Sequence, residues 1–191
     1  MKEKFLIIAL ILFSNLKINA QQYSASGDEP MLTEALKNIR IEKDEFTHIA
    51  KYYSDRTPKD IKDQDRFFIF INVPANPKEQ RLFLEVSHYA SFHPNIGYMR
   101  YSKIILLADD KTIELPLSLG AISGNGNQHS TFTMGFGRRP EYYDFIKSMI
   151  SAQTTKARLY TDDGRYLDFD ISSRERKAIN DVITLWEIVN K

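Results

Sequence analysis

The 191-residue chain has no cysteine, one tryptophan, four histidines and almost no charge imbalance, with 26 basic against 25 acidic side chains. Each scarcity excludes something. Without cysteine there are no disulfides, thiolate nucleophiles, iron–sulfur clusters or cysteine zinc sites. A formal charge of +1 gives no field that would select nucleic acid or an anionic membrane. The longest uninterrupted apolar run, Phe5 to Phe13, is about half the ~20 residues a transmembrane helix needs. Against these absences, 42% hydrophobic and 27% charged residues are the ordinary proportions of a globular protein.

What is present begins with an address. Lys2 and Lys4 precede the apolar run, and a polar stretch from Ser14 closes on Ala20. A basic start, a short apolar segment and a small residue at the cut are the parts of a secretory signal peptide. The sequence predicts a signal over residues 1–20 with cleavage after Ala20, a flexible lead over 21–29 and a single domain over 30–191. With no cysteine to carry a lipid, the mature chain is expected free in the periplasm or secreted. It would have no lipid anchor and no membrane span once cleaved. Loss of Lys2, Lys4, Lys17 and Glu3 turns the formal charge from +1 to −1. A domain of this length can bury enough surface to fold without disulfides.

Period shifts along the mature chain predict the elements. Pro30 opens a helix carrying Leu32, Ala35, Leu36 and Ile39, and a second helix is expected over Asp44 to Tyr53 with Phe46, Ile49, Ala50 and Tyr53 on one side. Arg66–Val73, Arg81–Ser87, Tyr101–Ala108, Thr112–Leu117 and Thr131–Phe136 read as strands. Gly120–Ser130 reads as a loop. Pro140 begins a helix with Tyr142, Phe145, Ile146, Met149 and Ile150 inward. Lys156–Thr161 and Arg165–Ile171 form a hairpin around Asp162-Asp163-Gly164, pairing Ala157 and Leu159 with Leu167 and Phe169. Ser172 and Glu175 fit a capping box before a last helix whose stripe is Ile179, Val182, Ile183, Trp186 and Val189. The order is not a regular strand–helix alternation. It predicts an α+β fold: a mainly antiparallel sheet of about six to seven strands, two N-terminal helices, one helix between strands, and a C-terminal helix packed on the sheet.

Reaction templates fail one after another. His88 and His93 are five apart, which on a continuous strand sends them to opposite faces. Glu45 and His48 give one Glu-x-x-His pair, where di-iron bundles need two pairs and two further glutamates. Gly120-Ala121-Ile122-Ser123-Gly124 misplaces the first glycine of a nucleophile elbow and leads to no helix. Gly124-Asn125-Gly126-Asn127 lacks the Gly-Lys-Ser/Thr of a phosphate loop. Asp60, Asp63 and Asp65 lack the glycine and distal glutamate of a calcium loop. No cofactor or metal is expected. Arg174-Glu175-Arg176-Lys177 reads as the wet face of the last helix.

One surface stands out. Gly135 to Tyr143 joins a strand to a helix start, where a rigid scaffold can present a loop. Arg138 and Arg139 could hold a carboxylate or phosphate bidentately, with His129 and Tyr143 nearby. Ten tyrosines and twelve phenylalanines suit a packed sheet and, where exposed, recognition of protein or carbohydrate. The expected function is an exported, non-enzymatic binding module for a protein or envelope component, with His129, Arg138, Arg139 and Tyr143 as its contact patch. Two alternatives are an envelope-polymer hydrolase whose His and Asp residues meet only on folding, and a small-ligand carrier with an aromatic-lined cavity.

Overall fold

The computed structural model describes residues 29–47, 49–57, 66–73, 81–89, 101–116, 121–123, 129–136 and 139–190. The expected signal peptide and nearly all of the lead lie outside these residues. The described elements run α1 (Glu29–Leu36), β1 (Ile39–Lys43), β2 (Ala50–Ser54), β3 (Arg66–Val73), β4 (Arg81–Tyr89), β5 (Tyr101–Ala108), β6 (Lys111–Pro116), β7 (Ala121–Ser123), β8 (His129–Gly135), α2 (Pro140–Ser148), β9 (Thr155–Thr161), β10 (Tyr166–Asp170) and α3 (Ser173–Val189). The strands form two sheets, ordered β1-β2-β3-β4-β8-β7 and β10-β9-β5-β6, with every ladder antiparallel. The α+β class holds, but the single sheet of six to seven strands is corrected to two sheets with ten strands among the described residues.

The three additional strands come from Ile39–Lys43, from the expected helix over Asp44 to Tyr53, and from the expected loop Gly120–Ser130. The helix expected over Asp44 to Tyr53 is instead the turn and second strand of a hairpin, paired from Ile39 opposite Ser54 to Lys43 opposite Ala50. Phe46, Ile49, Ala50 and Tyr53 do recur at helical spacing. Ile39-Arg40-Ile41-Glu42-Lys43 alternates, however, and β-branched and aromatic residues favour a pleated surface. Ile39, expected at the end of the first helix, starts β1 instead. Within the expected loop Gly120–Ser130, Ala121–Ser123 pairs with β8 and covers an edge that would otherwise expose unpaired backbone groups.

Elsewhere the periodicities are realised. Leu159 lies opposite Leu167 and Ala157 opposite Phe169. The Ser172 hydroxyl accepts the Glu175 N–H while the Glu175 carboxylate accepts the Ser172 N–H, completing the capping box. The same carboxylate accepts the Phe67 N–H at 3.2 Å, which ties the start of α3 to β3.

One apolar cluster joins both sheets and all three helices. It takes Phe67, Ile69 and Ile71 from β3, Leu82, Leu84 and Val86 from β4, Ile104 and Leu106 from β5, and Ile146 from α2. The terminal helix packs on β2 and β3 as expected. Its buried side is wider than the predicted stripe: Ala178, Leu185 and Ile188 are buried with Ile179, Val182 and Ile183, whereas Trp186 and Val189 are only partly so. The extra burial arises because α1 packs along α3 as well. A second cluster on the opposite face of the six-stranded sheet holds Tyr53, Phe70 and Phe83, with Phe70 and Phe83 stacked at 5.4 Å.

Candidate functional site

The packing of α1 against α3 leaves a groove along one flank of α3. Residues Lys177, Asp181, Thr184 and Ile188 recur every three or four positions, so they form one stripe down the helix. Met31, Glu34 and Ala35 of α1 make the opposite wall at one end, enclosing about 320 Å3 together with Asn180, Asp181, Thr184 and Ile188. At the other end Asp55 and Arg56, just past β2, face Ser173, Arg174 and Lys177 across about 430 Å3. Asn38 lines both cavities, so the two adjoin along this flank.

An ion pair between the shielded Asp181 carboxylate and the exposed Arg56 sets the floor. Asp181, only 9% exposed in its side chain, accepts the Ser54 hydroxyl at 2.6 Å and the Arg56 Nε at 3.0 Å. Arg174 Nε donates to the Arg56 carbonyl at 2.9 Å, and the Asp55 N–H donates to the Asn38 carbonyl at 2.7 Å. These contacts fasten β2, the α1–β1 connection and α3 together. The charge of Arg56 is met by Asp181, and Arg174 and Lys177 then outnumber Asp55. Lys177 has no ion-pair partner among the described residues. One end of the groove is therefore cationic. The other is mostly apolar, with Ala35, the buried Ile188 and the half-exposed Met31. Methionine at a lip can adapt to the shape of what enters.

The residues expected to form a contact patch fall elsewhere. Arg139 is exposed beside the start of α2, its guanidinium 5.4 Å from the Tyr142 ring centroid. Tyr143 is half-buried and its hydroxyl donates to Glu187 Oε1 at 2.9 Å. Burial first, and then that bond, raise its pKa above the ordinary phenol value. Arg138 lies outside the described residues. His129 opens β8, and the β4–β8 ladder sets it opposite Tyr89, with Ser130 opposite His88. His48 and His93 also lie outside the described residues, and Glu45 occupies the β1–β2 turn, not a helix. Among the described residues no group of three His, Asp or Glu side chains is arranged to hold a metal ion, and no helix is long and apolar enough to cross a membrane.

Sequence reasoning missed the groove. It reads Arg174 and Lys177 as a solvated helix face, and the residues opposite them lie more than a hundred positions earlier. The available signal was the polar interruption of α3 at Asn180 and Asp181 in an otherwise apolar-rich helix. No protein-family model matches the chain, and no curated protein or solved structure matches it either.

Proposed function

We propose that this protein is an exported, non-enzymatic binding module that recognises a partner protein through the α1–α3 groove. The observation supporting this reading is the two-part groove, apolar at Ala35 and Ile188 and cationic at Arg174 and Lys177. Such a surface fits a segment in which an aromatic side chain stands beside carboxylates. The ring fills the ~320 Å3 end, at the small limit of the ~300–1,000 Å3 of ligand pockets. The carboxylates meet the lysine and arginine. His129, Arg138, Arg139 and Tyr143 stand as a secondary contact patch, supported by the exposed Arg139 guanidinium. The groove ranks ahead because its residues enclose a volume.

The test is fluorescence anisotropy with a labelled peptide carrying phenylalanine beside two glutamates. Thr184→Trp, which fills the apolar end from an exposed position, and Lys177→Glu should each weaken binding about tenfold or more. Equal binding by both variants and the native protein, or none by the native protein, overturns the reading. N-terminal sequencing of the protein recovered from the envelope fraction should give Gln21 first.

A further inference from the structure

Among the described residues the exposed large apolar side chains are Met31, Tyr166 and Phe46, and Phe46 is the extreme case at 96% exposure. It sits at the tip of the β1–β2 hairpin. The tip is braced by hydrogen bonds: the Asp44 carboxylate accepts the Phe46 N–H at 2.8 Å and the Thr47 N–H at 3.1 Å. The Asp44 N–H donates to the Ile49 carbonyl at 2.9 Å. An Asx turn of this kind fixes the backbone without using the side chain that follows. Beside the ring stands Glu45, exposed and without an ion-pair partner among the described residues.

The tip thus has the chemistry the groove selects, an aromatic ring next to a carboxylate. It does not occupy its own groove: Phe46 is 96% exposed and lines neither cavity. The groove adjoins Asn38, before β1, and the tip follows Lys43 at the far end of that strand. Five residues of strand hold the tip roughly 16 Å from Asn38. We infer that the occupant of the groove is the hairpin tip of a second copy of this chain, with Phe46 between Ala35 and Ile188 and Glu45 toward Lys177. This rests on the groove reading above and names its partner. Each contact uses the tip of one copy and the groove of the other, and so leaves one free tip and one free groove. The association either closes, as a reciprocal pair or a larger ring, or continues as an open chain of copies.

Sedimentation velocity on the purified protein tests this. The native chain should gain mass with concentration, to a dimer or beyond. Phe46→Ala keeps the groove and loses the tip; Thr184→Trp keeps the tip and fills the groove. Each alone should stay monomeric, with association weakened about tenfold or more. Mixed in equal amounts, they should form dimers and stop there, because only one tip–groove contact is available. Glu45→Lys and Lys177→Glu should each weaken assembly, and a mixture of the two should restore it. A native chain that stays monomeric to about 1 mM, a Phe46→Ala variant that assembles like the native protein, or a mixture that forms no dimer overturns the inference. The peptide of the preceding section separates the two failures. Binding of that peptide by a chain that never self-associates leaves the groove reading standing and removes the second copy. Loss of both removes both.

Discussion

At the β1–β2 turn the Asp44 carboxylate accepts the N–H groups of Phe46 and Thr47; at the β9–β10 turn the Asp163 carboxylate accepts the Arg165 N–H and the Thr161 hydroxyl. The Thr161 contact, ahead of those from Arg165, holds the Asp163 carboxyl below its ordinary pKa. The two turns share one device and display different chemistry. The second is finished by Gly164 at φ +82° and an Asp163–Arg165 ion pair at 2.8 Å, with charged and small residues facing water. The first displays a bare phenylalanine. The β5–β6 turn sides with the second: Asp109, at φ +53°, accepts the Gln153 and Thr154 N–H groups at 2.9 Å each and is followed by Asp110 and Lys111. Three turns built on aspartate show that folding the tip does not require a ring at position 46. The ring is therefore available for the association inferred above.

Three substitutions sharpen that comparison, measured as free energies of urea unfolding. The largest effect belongs to Asp109→Ala. It removes a carboxylate that joins two segments and leaves a β-carbon at positive φ without a compensating bond, so about 2 kcal/mol should be lost. Asp44→Ala removes the Asx turn of one hairpin only and should cost about 1 kcal/mol, comparable to losing a helix N-cap. Phe46→Ala should change stability by no more than about 0.5 kcal/mol, since its side chain is already in water. A Phe46→Ala loss near that of Asp109→Ala would give the ring a structural role and break the contrast between the turns.

How much of this was readable in the sequence depends on how local each signal is. The terminal helix was legible because its capping box and apolar spacing lie within one segment. So was the β9–β10 hairpin, whose turn chemistry and alternation fix one register. The β1–β2 hairpin was not, because Phe46, Ile49, Ala50 and Tyr53 satisfy a helical period by coincidence. In the ladder Ala50 and Tyr53 face opposite sides of the sheet, Ala50 in the main core and Tyr53 with Phe70. That misreading also hid the tip, since a helix would have placed Phe46 inward. The groove was illegible for a different reason. Its walls, α1 and α3, meet only through tertiary packing, and Arg174 and Lys177 carry no local mark that separates them from any solvated pair. Tyr143 lies near the start of α2, but nothing nearby in sequence announced its bond to Glu187.

The absence of cysteine makes the most direct measurement a clean one. Introduced thiols at Glu45→Cys on one copy and Lys177→Cys on another would be the only two in the mixture. Under mild oxidation the expected result is a disulfide-linked dimer that forms from the mixed copies faster than from either alone, and faster than when Lys111→Cys on a different exposed turn replaces Lys177→Cys. Equal rates for the two mixtures would contradict docking of the hairpin tip in the groove.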